Sequence, residues 1–322
     1  MLLHLDRVNF AELLRIIGNT SNIDMDILEK DYYVCVVLEQ LSQSQNQLKA
    51  YFKGGTAIYK KLDEMRRFSE DIDLTVRDDE NLSNTQNKKK FEKSAKGYSV
   101  DGLVLLPDKT DNRKGSITAF YEYQTVVDYA VSPLRRSGEI QVEATSFTES
   151  EPLEECEILP LVYKLANQKQ REILQVKYSV KPFSMMIVSL ERTFIDKLFA
   201  AQKYLADLRD TKLAKPTELA KHLYDIAVLY KEARIKSFLE NKDEFRRIEA
   251  IRRREEERRA GGVPADVKIS GFSFFVENLD SSVIDMFCEM QDKYVLEDKY
   301  KISVNDLKTA LSYICEAMQN KF

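Results

Sequence analysis

Apolar positions recur with two different periods along this chain. Helical spacing over residues 6–17 and 23–42 predicts two opening helices. In the second, Ile23, Met25, Ile27 and Leu28 lead into EKDYYVCVVLEQL, so apolar on all sides that the helix must be well buried. Its Glu29, Lys30, Asp31 and Tyr32 form a charged patch in that buried setting, or else solvated charges at a helix start. Residues 50–53 predict a short strand, Gly54-Gly55-Thr56 a turn, 56–62 a helix, 63–70 a charged loop and 71–76 a second strand. Residues 78–101 are polar and Lys-rich, a loop or an exposed helix. Period-two alternation then predicts strands over 102–106, 116–129 and 138–147. In the last, Ile140, Val142 and Ala144 take one face and Gln141, Glu143 and Thr145 the other.

After Thr148 the pattern turns mainly helical. Residues 157–180 fit neither period cleanly, and 185–190 suggest one more short strand. Amphipathic helices are predicted over 189–207 and 216–230, the latter with Pro216 at its first position. Arg246–Arg259 is a dense run of both charges, expected to be a solvated helix held by i,i+4 pairs, with RNA-backbone contact as the other reading. Gly261-Gly262-Val263-Pro264 is a break, and two or three helices close the chain. The pattern predicts an α+β fold: a mixed sheet flanked by helices in a domain over 1–150, then a mainly helical domain over 151–322.

Composition narrows the chemistry. The 322 residues carry 43% hydrophobic and 32% charged positions and a net charge of −4. No apolar run reaches the roughly 18 residues of a membrane helix, and the start has no secretory pattern, so a cytoplasmic, non-membrane protein is expected. The four cysteines (Cys35, Cys156, Cys288, Cys315) stand far apart, which fits a reducing compartment and no zinc site. With only two histidines, His4 and His222, metal chemistry must rest on carboxylates, which favours Mg²⁺.

The stretch that gathers the candidates is FKGGTAIYKKLDEMRRFSEDIDLTV, residues 52–76. Glycine is scarce, 10 in 322, yet two are adjacent here between a strand and a helix. Backbone N–H groups at Gly54, Gly55 and Thr56, opening a helix, make an anion site. Asp71 and Asp73, two apart on a strand, project together and can share a metal. Glu143 qualifies by parity as a third carboxylate on a neighbouring strand, with solvent-facing Glu143 as the bland reading and Asp128 as a weaker candidate. Lys197, on a helix beside Phe194, Leu198 and Ala201, can hold a triphosphate as a point charge or pair with Glu191 or Asp196. Asp225, amid Leu223, Tyr224 and Ile226, needs a partner, which Lys197 or Lys221 can supply. His222 reads as a satisfied helix histidine.

Lys53-Gly54-Gly55-Thr56 followed by Arg67-Phe68-Ser69-Glu70-Asp71-Ile72-Asp73-Leu74 resembles the first motif of the AbiEii/AbiGii toxin-type nucleotidyltransferases, of the polymerase-beta-like superfamily. Glu29-Lys30-Asp31-Tyr32 resembles a segment these proteins carry before it. Ile140-Gln141-Val142-Glu143, Glu191 to Leu198 and Lys221 to Ile226 resemble the second, third and fourth motifs, so the likeness spans roughly 29–230. The pattern departs at Glu143, where Asp is more usual, and at Lys221, where Arg is common. The resemblance implies a nucleotidyltransferase sheet followed by a helical region. It implies catalysis through Asp71, Asp73, Glu143, Lys197 and Asp225, with Mg²⁺ on the first three. Lys53, Gly54, Gly55, Thr56, Arg67, Ser69 and Lys197 would bind the nucleoside triphosphate. It further implies an RNA acceptor, the tRNA 3′ end first, and a cognate antitoxin. Nucleotidylation of a small molecule or protein, and a non-catalytic nucleotide-binding module, are the rival expectations.

Overall fold

The structure is a computed structural model that describes residues 1–64, 66–127, 138–210, 212–259, 261–276 and 279–319. It divides into two compact units, Met1–Ile187 and Val188–Phe322.

The first unit is built on one eight-stranded mixed sheet. Its strands are β1 Ala50–Lys53, β2 Ile72–Val76, β3 Leu103–Leu105, β4 Asp111–Arg113, β5 Ser116–Tyr123, β6 Glu139–Thr145, β7 Leu153–Ile158 and β8 Phe183–Val188. The order across the sheet is β3-β5-β6-β2-β1-β8-β7, with β4 paired to β5. The central pairings mix directions: β1 runs antiparallel to β2 and parallel to β8, and β2 runs parallel to β6. Alternation sets the faces as expected. Ile140, Val142 and Ala144 of β6 are fully buried, as are Ile72 and Leu74 of β2. Their neighbours Gln141, Glu143 and Asp73 stay half-exposed on the other face.

Helices α1 (Arg7–Ser21), α2 (Met25–Leu48), α3 (Gly54–Lys61), α4 (Asn84–Lys96), α5 (Leu161–Lys164) and α6 (Gln168–Tyr178) complete this unit. In α1 the buried Phe10, Leu14 and Ile17 keep the i, i+4, i+7 stripe. Reciprocal capping boxes start α4, from Ser83 and Gln86, and α6, from Asn167 and Gln170. The Lys-rich stretch is therefore a helix, exposed at Lys88, Lys89 and Lys93.

The second unit holds α7 (Leu190–Asp207), α8 (Pro216–Lys231), α9 (Ala233–Glu240), α10 (Lys242–Arg258), α11 (Ser273–Val276), α12 (Ser281–Tyr294) and α13 (Val304–Gln319). The Ser189 hydroxyl caps α7 by accepting from the Arg192 N–H at 3.3 Å. Phe199 packs edge-on against Phe272, and the Tyr224 hydroxyl donates to the Tyr300 carbonyl at 2.8 Å. No helix among the described residues is long and apolar enough to cross a membrane.

Three expectations differ from what the structure shows. The compact sheet-bearing unit ends at Ile187, beyond the boundary expected at 150, because β7 and β8 belong to the same sheet. The charged run in α10 is not a solvated helix throughout. Arg252, Glu255 and Glu256 are 5, 2 and 4% exposed, and they form ion pairs inside the unit. The strand expected over 116–129 ends at Tyr123, and Asp128 lies outside the described residues.

Candidate active site

The glycine pair does two separate jobs. Gly54 has φ +83°, and a Cβ there would stand 2.2 Å from Asp73 Oδ2. Only glycine meets both demands, a left-handed backbone and a carboxylate pressed against it. At Gly55 a Cβ would meet Arg67 Nη2 at 2.8 Å and Ser69 Oγ at 2.9 Å. The two glycines thus let the loop before β2 close onto the start of α3. The Thr56 hydroxyl donates to the Asp71 carbonyl at 2.7 Å and lies 2.9 Å from Ser69 Oγ. Arg67 is 3% exposed, bonds the Phe68 carbonyl at 3.1 Å and lies over the Tyr59 ring at 5.4 Å. Five of the predicted binding residues, Gly54, Gly55, Thr56, Arg67 and Ser69, therefore meet in one turn. The first N–H groups of α3 have no partner within the helix, as anion binding requires.

Register sets the carboxylates. Lys53 pairs with Asp73, Asp73 with Glu143 and Glu143 with Thr118, one row across four adjacent strands. Residues paired in register share a face, and neighbouring strands lie about 4.8 Å apart. Asp73 and Glu143 are therefore side by side. Asp71 precedes β2, and the β2–β6 ladder begins only at Ile72 opposite Val142.

Among the described residues no three His, Cys, Asp or Glu side chains converge as a metal-binding group. The donor set nevertheless suits Mg²⁺, which takes one or two protein carboxylates and fills its remaining positions with waters and substrate phosphates. An adjacent Asp–Glu pair beside the N-terminus of α3 fits that demand.

A hydroxyl cluster beside the row escaped the sequence reading. Lys53 Nζ donates to the Thr145 and Thr148 hydroxyls, each at 3.3 Å. These two hydroxyls lie 2.9 Å apart, and the Thr148 hydroxyl donates to Thr75 Oγ1 at 2.8 Å. Thr75, Thr145 and Thr148 are 0, 7 and 7% exposed. Threonine in a strand looks like ordinary β-propensity. The clue was that Thr75 and Thr145 share the strand parity of Asp73 and Glu143.

In the second unit Lys197 Nζ meets Asp225 Oδ2 at 2.8 Å, and Asp225 is fully buried. Of the two lysines expected to partner Asp225, Lys197 does so. Lys221 instead pairs with Glu218 at 3.1 Å and lies over the Tyr294 ring. His222 stacks on Tyr204, ring centroids 5.2 Å apart. One turn before Lys197, Arg192 binds Asp196 at 3.0 Å and Glu255 at 2.5 Å. Burial lowers the Arg192 pKa, but Asp196 and Glu255 more than offset this and leave it above the ordinary value.

A glycine turn opening a helix, with strand carboxylates in register beside it, suits the transfer of a phosphoryl or nucleotidyl group. A family model described as "Nucleotidyl transferase AbiEii toxin, Type IV TA system" matches residues 36–311, and the chain belongs to that family. The match runs past the motifs recognised by resemblance and takes in α9 to α12. No curated protein sequence matches the chain.

Proposed function

We propose that the protein transfers a nucleoside monophosphate from an NTP to the 3′-hydroxyl of an RNA, tRNA first, and so acts as the toxin of a toxin–antitoxin pair in the cytosol. The observation that carries this reading is the row Lys53–Asp73–Glu143 next to the Gly54-Gly55 turn. Backbone N–H groups at Gly54–Thr56, with Ser69, bind the triphosphate, and Arg67 supports the turn from beneath. Lys53 neutralises phosphate charge at the end of the row. Asp73 and Glu143 would hold Mg²⁺, with Asp71 just before β2 as a further candidate ligand, and the metal when bound would supply positive charge to the phosphate oxygens. Asp225 keeps Lys197 charged and oriented, and Lys197 serves as a point charge for phosphate. In the reaction the 3′-oxygen attacks the α-phosphorus, the bond to the β-phosphate bridge breaks, pyrophosphate leaves and the hydroxyl proton passes to water.

The test incubates purified protein with each labelled NTP, total RNA and Mg²⁺. Label is expected in RNA, to be lost with EDTA and in Asp73→Asn. That substitution keeps the shape beside Gly54 but removes the charge, and a loss of roughly 10²-fold or more is expected. Label appearing only on a protein or small molecule would move the acceptor assignment. No transfer in any combination would sink the proposal.

A further inference from the structure

The charged triplet Glu29-Lys30-Asp31 in the second turn of α2 lies wholly inside the first unit, with exposures of 0, 1 and 3%. Buried charges persist only where partners hold them. Here each of three consecutive side chains holds a different segment. The Glu29 carboxylate accepts from the Val126 N–H and the Thr125 hydroxyl, both at 2.7 Å. Asp31 accepts from the Leu161 N–H at 2.7 Å and from Lys60, at the end of α3, at 2.5 Å. The Lys30 ammonium donates to the Glu139 carbonyl and lies 3.3 Å from the Glu70 carboxylate.

The Lys30 contacts fall where the sheet leaves a gap. β2 and β6 pair from Ile72–Val142 to Thr75–Thr145, and Glu70 and Asp71 lie beyond that ladder. On β6 the matching stretch, Glu139 to Gln141, is bonded to β5 on its other side. Backbone pairing to β6 therefore fixes Asp73 against Glu143 but does not reach Asp71, whose carbonyl is held on the α3 side by the Thr56 hydroxyl. Lys30 spans the same two strand ends by side chain. It grips Glu70, the neighbour of Asp71, and Glu139, four residues before Glu143.

We propose that Lys30 is a positioning residue of the transfer site, holding Asp71 in fixed relation to the Asp73–Glu143 row by clamping Glu70 to the start of β6. The proposal rests on the function proposed above. The requirement is geometric: the lysine must reach from a rigid helix to both strand ends at once. Loss of the clamp loosens Asp71 on its β6 side only, because the Thr56 hydroxyl still ties the Asp71 carbonyl and Ser69 to the glycine turn. The chemical step suffers and nucleotide affinity does not.

The test uses full-length Lys30→Met, Lys30→Arg and Glu70→Ala beside wild type. Hydrogen exchange is read first. In Lys30→Met and Glu70→Ala the amides of residues 68–73 are expected to exchange at least tenfold faster, while those of residues 33–41 in α2 hold their rates. In the transfer assay kcat is expected to fall roughly 10–100-fold while KM for the NTP stays within about a factor of two. Lys30→Arg should recover part of kcat, because its guanidinium can still reach both oxygens. Unchanged exchange at 68–73 in both variants, or a raised KM with kcat intact, overturns the proposal. If Lys30→Met fails to fold, Glu70→Ala carries the same two readouts. Should wild type transfer nothing to any acceptor, the proposed reaction falls, while the exchange experiment still decides whether Lys30 positions Asp71.

Discussion

His4 is 4% exposed and sits between two fixed partners. Its Nε2 lies 2.6 Å from the Asp101 carbonyl, which can only accept, so Nε2 carries the proton. Nδ1 is then the acceptor for the Tyr32 hydroxyl at 2.9 Å. This neutral tautomer is filled on both sides, with the Tyr33 ring packed against it. Burial lowers the His4 pKa from the ordinary 6.5, outweighing the opposing pull of the Asp101 carbonyl and carboxylate. The sign follows. As pH falls below 6.5 the unfolded chain takes up a proton that folded His4 refuses, so this contribution is complete above pH 6.5 and is lost as pH drops toward the lowered value. Melting of wild type and His4→Gln between pH 8 and pH 5 should show wild type ahead at pH 8 and the gap closing on acidification. A gap that does not change with pH would show that His4 is not held neutral. Gly54 makes the same point about local fit, since its φ and the nearby Asp73 oxygen both exclude a side chain.

At the scale of elements, α10 shows what a charge run conceals. Glu255 is shared by Arg192, at 2.5 Å, and Arg252, at 3.2 Å, all of them buried. Removing that carboxylate leaves two buried guanidinium groups short of counter-charge. Glu255→Gln should cost about 3–5 kcal/mol in urea denaturation, whereas Glu257→Gln, exposed two residues on, should stay within about 0.5 kcal/mol. Equal effects would return α10 to a solvated helix. The helix itself was legible in the sequence, but its burial was not, because that depends on Arg192 from another helix. The same division runs through the first unit. β1, α3, β2 and β6 were readable because Gly54 and period-two alternation are local signals. β8 was placed in part, over 185–190, as a short apolar run, whereas β7 was not, because LEECEI alternates poorly. The turn residues were legible as a group, and the Asp73–Glu143 pairing followed from parity. The Thr75–Thr145–Thr148 cluster and the Lys30 clamp depend on packing, which no spacing rule reveals.

Across the whole molecule, the four cysteines probe both compact units. Cys35 and Cys156 belong to the first and Cys288 and Cys315 to the second. Only Cys288 is exposed. Burial pushes the Cys35 thiol up to about 12, with Asp31 adding to the shift, and the Cys156 thiol up to about 11. Burial raises Cys315 as well, with Glu316 contributing. A thiol reacts as its thiolate and only where a reagent can reach it. With a chromogenic disulfide at pH 8, one thiol per chain should therefore react at once, and its loss in Cys288→Ser should remove the fast phase. The other three should wait for opening, local or global. As urea is raised, Cys35 and Cys156 should become reactive over one range of concentration, since both lie within the sheet-bearing unit, and Cys315 should report the helical unit on its own. Cys156 reacting as fast as Cys288 in the native protein would contradict the burial of β7, and with it the placement of 153–158 inside the first unit. Because the reagent reads each unit separately, the same labelling shows which unit Lys30→Met or Glu255→Gln weakens, and so separates a misplaced Asp71 from a molecule that has lost its fold.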